Sequence, residues 1–289
     1  MPNLKDIRKR ISSVRSTQQV TKAMKMVAAA KLRRAQEAAE NARAYSHKLT
    51  ELLCSLATSA GEDAHPLLRA GSDAPLHAIL ISADRGLCGG YNANMLRTTE
   101  EFLDSAEGAG ATLTVFGRRG FDHVKKRDGL TLVSEHVNAP VDMTVARALA
   151  AEATERFLAG ESGGVMIAYT RFRSAISQLP VVERLLPVAA EDAGSADGNA
   201  GAAADYVYEP NAGRILATLL PRYVETRVYH AMLESSASEH GSRMTAMDSA
   251  TNNASDMIDR LTLEMNRARQ ASITTELMEI VGGAEALKG

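Results

Sequence analysis

With 289 residues, 33 Lys and Arg against 35 Asp and Glu, two Cys, no Trp, seven Tyr and five Phe, the chain is long enough for one or two domains with a real core. So few rings count against a hydrophobic ligand barrel or a base-stacking nucleic-acid module, and a net charge of -2 counts against a wholly basic binder. No apolar run is long enough to cross a bilayer, and MPNLKDIRKR leads from charge into an amphipathic pattern, so neither a membrane span nor a secretory signal is expected.

Residues 1–34 hold ten Lys or Arg against Asp6 alone, so the near-neutral total conceals a +9 end and a -11 remainder. Segments 3–58 and 212–287 have almost no Gly or Pro and read as helix. The first has a stripe of Ile7, Ile11, Val14, Gln18, Thr21, Met24, Ala28, Leu32, Ala35, Ala39, Ala42, Leu49, Leu52 and Leu56, mostly at steps of three and four. The second alternates three and four through Met244, Met247, Thr251, Ala254, Ile258, Leu261, Met265, Ala268, Ser272 and Thr275, with a bend expected near Pro221 or a loosening around Gly241. Helices of this length need a partner of similar length, and the simplest pairing is an antiparallel coiled coil of the two ends. Ala, Ser and Thr along the seam let the backbones approach closely. The second helix is the longer, so its last part is expected to lack a partner within the chain and to call for an external sleeve.

Between the helices, residues 61–211 are Gly- and Pro-punctuated and net acidic. LHAILIS (76–82), ATLTVFG (111–117), GLTLVSE (129–135) and GVMIAYT (164–170) read as strands, with helices near 93–107 and 142–158 between them. SAISQLPVVERLLPV provides another strand or two, and YVYEP (206–210) an edge strand. This is a βαβ pattern for a small open α/β sheet, in which 189–205 reads as a mobile loop. The division is therefore 1–60, 61–211 and 212–289.

Chemistry is sparse. Cys54 and Cys88 form no CxxC, and His47, His65, His77, His123, His136, His230 and His240 show no metal-ligand spacing. ISADRGLCGGYNAN (81–94) is a Gly-rich turn between strand and helix, whose N–H groups suit a phosphate. Gly86, Gly89 and Gly90 fit neither GxxxxGK[ST] nor GxGxxG, so a structural turn or docking loop is the stronger reading. Cys88 reads as a small, partly buried residue, and Asp84 and Arg85 pair with each other or with a partner. No nucleophile–base set emerges, so no active site is expected. Three classes remain: a mechanical subunit built on a two-helix rod, a nucleic-acid binder using the basic helix, and a nucleotide enzyme using the Gly-rich loop. Basic residues all around the first helix favour an enclosing acidic or polar sleeve, hence the first class.

RSTQQVTKAMKMVAAAKLRRAQ (15–36), SADRGLCGGYNAN (82–94), SEHGSRMTAMDSATNNASDMI (238–258) and NRARQASITTELMEIVGGAEAL (266–287) resemble, in order and over the full length, the gamma-chain family of F-type ATP synthases. The resemblance implies a long antiparallel coiled coil with an inserted Rossmann-like open α/β domain, serving as the central-stalk rotor. The coiled coil would enter a ring of three alpha and three beta chains, while the lower part engages epsilon and the c ring, in an alpha3 beta3 gamma1 delta1 epsilon1 assembly with the membrane Fo sector. Proton flow would turn the shaft and drive ATP synthesis, with hydrolysis in reverse and regulation of that ATPase. Mg-ATP and ADP would bind alpha and beta, leaving this chain without a cofactor or active site.

By motif, Met24, Lys25, Arg243, Arg269, Gln270 and Thr274 resemble contacts to alpha and beta chains. Asp84, Arg85, Gly86, Leu87, Cys88, Gly89, Gly90, Tyr91 and Asn92 resemble the loop near the lower-stalk partners. The chain departs from the family pattern at Asp248, where many relatives carry Lys, and at Asn252, where Asp is usual. The Cys-containing regulatory insertion of the chloroplast form is absent, and with no transit peptide a peripheral place on the cytoplasmic side of a bacterial inner membrane is expected.

Overall fold

The computed structural model describes residues 4–60, 65–188 and 212–286. The proposed loop at 189–205 and the YVYEP strand lie outside the described residues.

Two long helices, α1 (Leu4–Ala60) and α5 (Ala212–Ala286), frame a sheet-bearing segment. α1 contains no Gly or Pro to interrupt it. α5 continues unbroken through Pro221, which only removes one N–H from the ladder, and through Gly241. A Cβ at Gly241 would lie 3.3 Å from both Ala175 Cα and the Phe172 ring, so the glycine serves a close backbone approach rather than a break.

The central elements are β1 (His77–Ile81), α2 (Tyr91–Leu103), β2 (Thr112–Phe116), α3 (Arg118–Val124), β3 (Thr131–His136), α4 (Met143–Leu158), β4 (Val165–Phe172) and β5 (Gln178–Leu186). All four strands expected from apolar runs form, and SAISQLPVVERLLPV supplies one further strand. α3 had no distinct signal, because seven residues give too few turns for a period. The sheet order is β3-β2-β1-β4-β5. β1 pairs in parallel with β2 and β4, β2 in parallel with β3, and β5 runs antiparallel to β4 at the edge. Pro180 is tolerated in β5 because an edge strand has one side without a ladder.

β1 is buried at every residue, as expected of a central strand covered on both faces. Its alternate side chains divide between two cores. Ile79 and Ile81 pack with α4, with Leu49, Leu53 and Leu56 of α1, and with Leu216 to Met232 of α5. Ala78 and Leu80 pack on the other face with Met95 of α2 and Val124 of α3. Leu53 takes the stripe position expected of Leu52, which is exposed, because 49, 53 and 56 keep the four-then-three step.

The described residues divide into two compact units within the long helices, not at their ends. One consists of α1 up to Ala28 with α5 from Met244; the other is Ala29–Arg243. The reason for the second boundary is burial: lower α1 and the first part of α5 provide core for the sheet. In the first unit Thr21 Oγ1 accepts from Thr251 at 2.9 Å and Lys25 Nζ meets Asp248 at 2.6 Å. Moving up one helix thus moves down the other. Burial follows the three-and-four stripe, with Met247 and Ala254 buried, as far as Ser272. From Ile273 to Ala284 every side chain is exposed.

Candidate functional site

The Gly-rich turn leaves β1 at the carboxyl ends of the parallel strands. Ser82 Oγ lies 3.0 Å from the Phe116 carbonyl and accepts the Gly120 N–H at 2.8 Å, fastening β1 to the start of α3. Asp84 caps two chain segments with one oxygen, accepting N–H bonds from Arg118 and Asn138, each at 2.9 Å. Asn92 accepts the Ala83 N–H at 3.1 Å, and its amide lies 3.1 Å from Cys88 Sγ. Leu87 adopts φ 60 and Gly89 φ 54, the left-handed region in which a leucine is costly. That leucine is also 65% exposed, whereas Cys88 and Tyr91 beside it are buried.

In an open sheet of this order, the crevice between β1 and β4 is where crossovers diverge and where ligands commonly sit. Here α5 occupies it. Ser242 Oγ donates to the Cys88 carbonyl at 2.7 Å. The Arg243 guanidinium reaches the carbonyls of Gly86 at 3.3 Å and Arg85 at 3.5 Å, pairs with Glu239 at 2.7 Å and lies 3.0 Å from His240 Nδ1. Ser235 and Ser238 contact the backbone of Thr170 at the end of β4. The turn therefore serves as a docking loop for the chain's own helix, which takes up its carbonyl groups.

Electrostatics at this junction follow from burial. Desolvation pushes the Glu239 carboxyl up, against the opposing pull of Arg243. Burial first, and then Arg243 and Lys31, bring His240 down to about 4, so it is neutral and accepts from Arg243. Burial also raises the Cys88 thiol and the Tyr91 phenol, the latter helped by Glu239. A raised thiol pKa is the opposite of what a nucleophile requires.

The residues singled out from sequence fall in two places. Asp84 to Asn92 and Arg243 come together at the loop and α5. Met24, Lys25, Arg269, Gln270 and Thr274 belong to the other unit. Met24 and Lys25 are half-buried there; Arg269, Gln270 and Thr274 are exposed, and the Thr274 hydroxyl donates to the Gln270 carbonyl at 2.9 Å. Arg243, whose side chain is 11% exposed, finds the partners named above within its own chain. Asp248, the charge reversal relative to the family pattern, is matched by Lys25. Ser235, Ser238, Glu239 and Ser242 were not singled out; their signal is a run of small polar residues, ESSASEHGS, on a helix face that has to be buried.

Among the described residues no group of three or more His, Cys, Asp or Glu is placed to hold a metal, and no helix is long and apolar enough to cross a membrane.

A family model described as ATP synthase matches residues 3–287. The chain is 50% identical over 295 residues to the ATP synthase gamma chain of Anaeromyxobacter sp. (strain Fw109-5), with 100% of each covered. It is 46% identical over 291 residues to that of Geobacter metallireducens (strain ATCC 53774 / DSM 7210 / GS-15), again with 100% of each covered. Among solved structures it is similar to a chain in the central stalk and c-ring of the Tetrahymena thermophila mitochondrial ATP synthase, with TM-score 0.58 and 26% identity, covering 80% of this chain and 99% of that one. A chain in the rotor of the Euglena gracilis mitochondrial ATP synthase shares the fold, with TM-score 0.64 and 20% identity over 93% of this chain and 98% of that one.

Proposed function

The chain belongs to the ATP synthase gamma-chain family, whose members are non-catalytic central-stalk subunits coupling the membrane rotor to the catalytic hexamer, and from that premise we propose how its parts divide the work. Torque passes between a proton-driven c ring and an alpha3 beta3 hexamer, producing ATP in one direction and hydrolysing it in the other, with ATPase activity regulated through the same shaft. Delta and epsilon complete the assembly. Mg-ATP and ADP are held by alpha and beta. The complex places the chain peripherally on the cytoplasmic side of a bacterial inner membrane.

The observation that carries this reading is the match over essentially the whole length. Geometry supports its parts. Residues 1–60 and 212–289 act as a coiled-coil shaft, supported by the Thr21–Thr251 and Lys25–Asp248 contacts and the three-and-four burial stripe. The exposed apolar side chains Ile273, Leu277, Met278, Ile280 and Val281 suit a sleeve formed by other chains. Residues 61–211 form a Rossmann-like domain, supported by four parallel strands, and the exposed Arg85 and Leu87 of its loop suit the lower-stalk partners. Met24, Lys25, Arg243, Arg269, Gln270 and Thr274 contact beta or alpha chains.

Mechanistically the shaft needs no reactive group. Each orientation has to bind one conformation of each neighbouring catalytic chain better than the others, so rotation shifts populations in sequence. Replacing Arg269 and Gln270 together with Ala in a reconstituted alpha/beta/gamma assembly tests the contacts. ATPase turnover and single-molecule torque are expected to fall, and unchanged values reject the assigned contact roles.

A further inference from the structure

Thr170 is buried near the end of β4, at a place where the sheet runs out of partners. Pairing of β1 with β4 ends at Leu80 and Ala168, so β1 offers no ladder partner to the backbone groups of Thr170 that point away from β5. Its N–H and C=O are nevertheless satisfied, both by α5. The N–H donates to Ser235 Oγ at 3.1 Å, and Ser238 Oγ donates to the C=O at 3.1 Å. Ser235 is 1% and Ser238 0% exposed. Two hydroxyls one turn apart thus stand in for the next strand.

Such a contact constrains the helix differently from the apolar packing of Val228, Ala231 and Met232 beside it. Apolar burial resists separation but has no preferred direction, whereas hydrogen bonds to fixed backbone atoms are directional. Sliding α5 by one residue moves its side chains by about 1.5 Å along the axis and about 100° around it. The rotation carries both hydroxyls away from Thr170, and the axial shift stretches both bonds. The same face then carries Gly241 against Ala175 and Ser242 on the Cys88 carbonyl, so the register is read at several points.

We propose that Ser235 and Ser238 are positioning residues for energy coupling, a key that locks the rotational register of α5 to the sheet through the Thr170 peptide group. Torque applied to the sheet-bearing unit is thereby delivered to α5 without slip. The inference rests on the torque-transmitting role proposed above. Its test uses the complete ATP synthase in inverted membrane vesicles, with wild type, S235A, S238A and S235A/S238A compared. ATP-driven proton pumping and ATP hydrolysis are measured on the same vesicles, and amide exchange of Thr170 in the assembled complex.

The expected result is pumping per ATP hydrolysed that falls in the single variants and falls further in the double, with Thr170 exchange faster by about tenfold, the factor for one net hydrogen bond, in the two variants that lack the Ser235 hydroxyl. A merely structural role predicts loss of assembly, or hydrolysis and pumping lost in proportion; either outcome overturns the proposal. So does a pumping-to-hydrolysis ratio equal to wild type. The double variant is not needed for the decision, since each single variant is judged by its own pumping-to-hydrolysis ratio. Should the wild-type complex itself hydrolyse ATP without pumping, the torque reading fails, a result distinct from failure of the key.

Discussion

Replacing Arg243 with Met isolates the buried clasp between α5 and the Gly-rich turn. The thioether keeps most of the volume but removes the guanidinium that pairs with Glu239 at 2.7 Å and donates to the carbonyls of Gly86 and Arg85. With side chains 11% and 19% exposed, Arg243 and Glu239 form a largely desolvated pair, and breaking one partner of such a pair costs about 3 kcal/mol or more, chiefly from the stranded charge. Asp84 aggravates this stranding and Lys31 only partly relieves it. The double variant E239Q/R243M has no charge to strand, so its loss falls to about 1–2 kcal/mol, that of the hydrogen bonds alone. E239Q strands the arginine in the same way and costs about as much as R243M, so a double-mutant cycle gives a coupling of about 4–5 kcal/mol. Urea unfolding of the full chain, followed through the tyrosine signal of buried Tyr91, Tyr169 and Tyr223, measures each corner. The Glu239 pKa is already raised in the folded state and rises further without Arg243. A raised folded pKa means stability present below the unfolded value and lost as pH climbs through the folded one, so the R243M deficit shrinks as pH falls from 8 towards 5. A cost below about 1 kcal/mol that does not change with pH refutes the clasp.

Two further outcomes are expected. Lys25 and Asp248 are 43% and 47% exposed, so D248A costs less than about 1 kcal/mol in urea unfolding; D248K opposes like charges, and the swap K25D/D248K restores wild-type stability. His77 and His240 are both held near 4, His77 by burial and then Arg156 against an opposing Glu152, His240 by burial and then Arg243 and Lys31. Depressed folded values mean stability that is present above the ordinary histidine pKa and lost as pH falls towards 4, so H77Q/H240Q flattens the pH dependence of the unfolding free energy between about 6.5 and 4. An undiminished slope in that variant would show that other groups take up the protons.

Repetitive elements were the easiest to read. The stripe from Met244 to Ser272 repeats a simple period many times, and burial follows it residue by residue. The strands were readable as apolar runs, whereas α3 was not, since seven residues sample fewer than two complete helical periods. The Gly-rich turn was readable as a docking loop by failing the phosphate motifs, but its occupant was not. Ser235 and Ser238 lie more than 60 residues from Thr170, and Ser242 more than 150 from Cys88, and no local pattern ties a serine to a backbone group that far away.

The sequence by itself determined the division into long Gly-poor helices around an α/β segment, because helix length and hydrophobic period are local properties that each stretch carries alone. Only the tertiary structure decided which polar groups meet. It turned Arg243 inward to Glu239 and the loop, matched the reversed charge of Asp248 with Lys25, and placed two serines on the unpaired end of β4. Those choices follow from desolvation: once packing buries a backbone group or a charge, it has to find a partner, and the nearest one comes from wherever the fold has brought the chain.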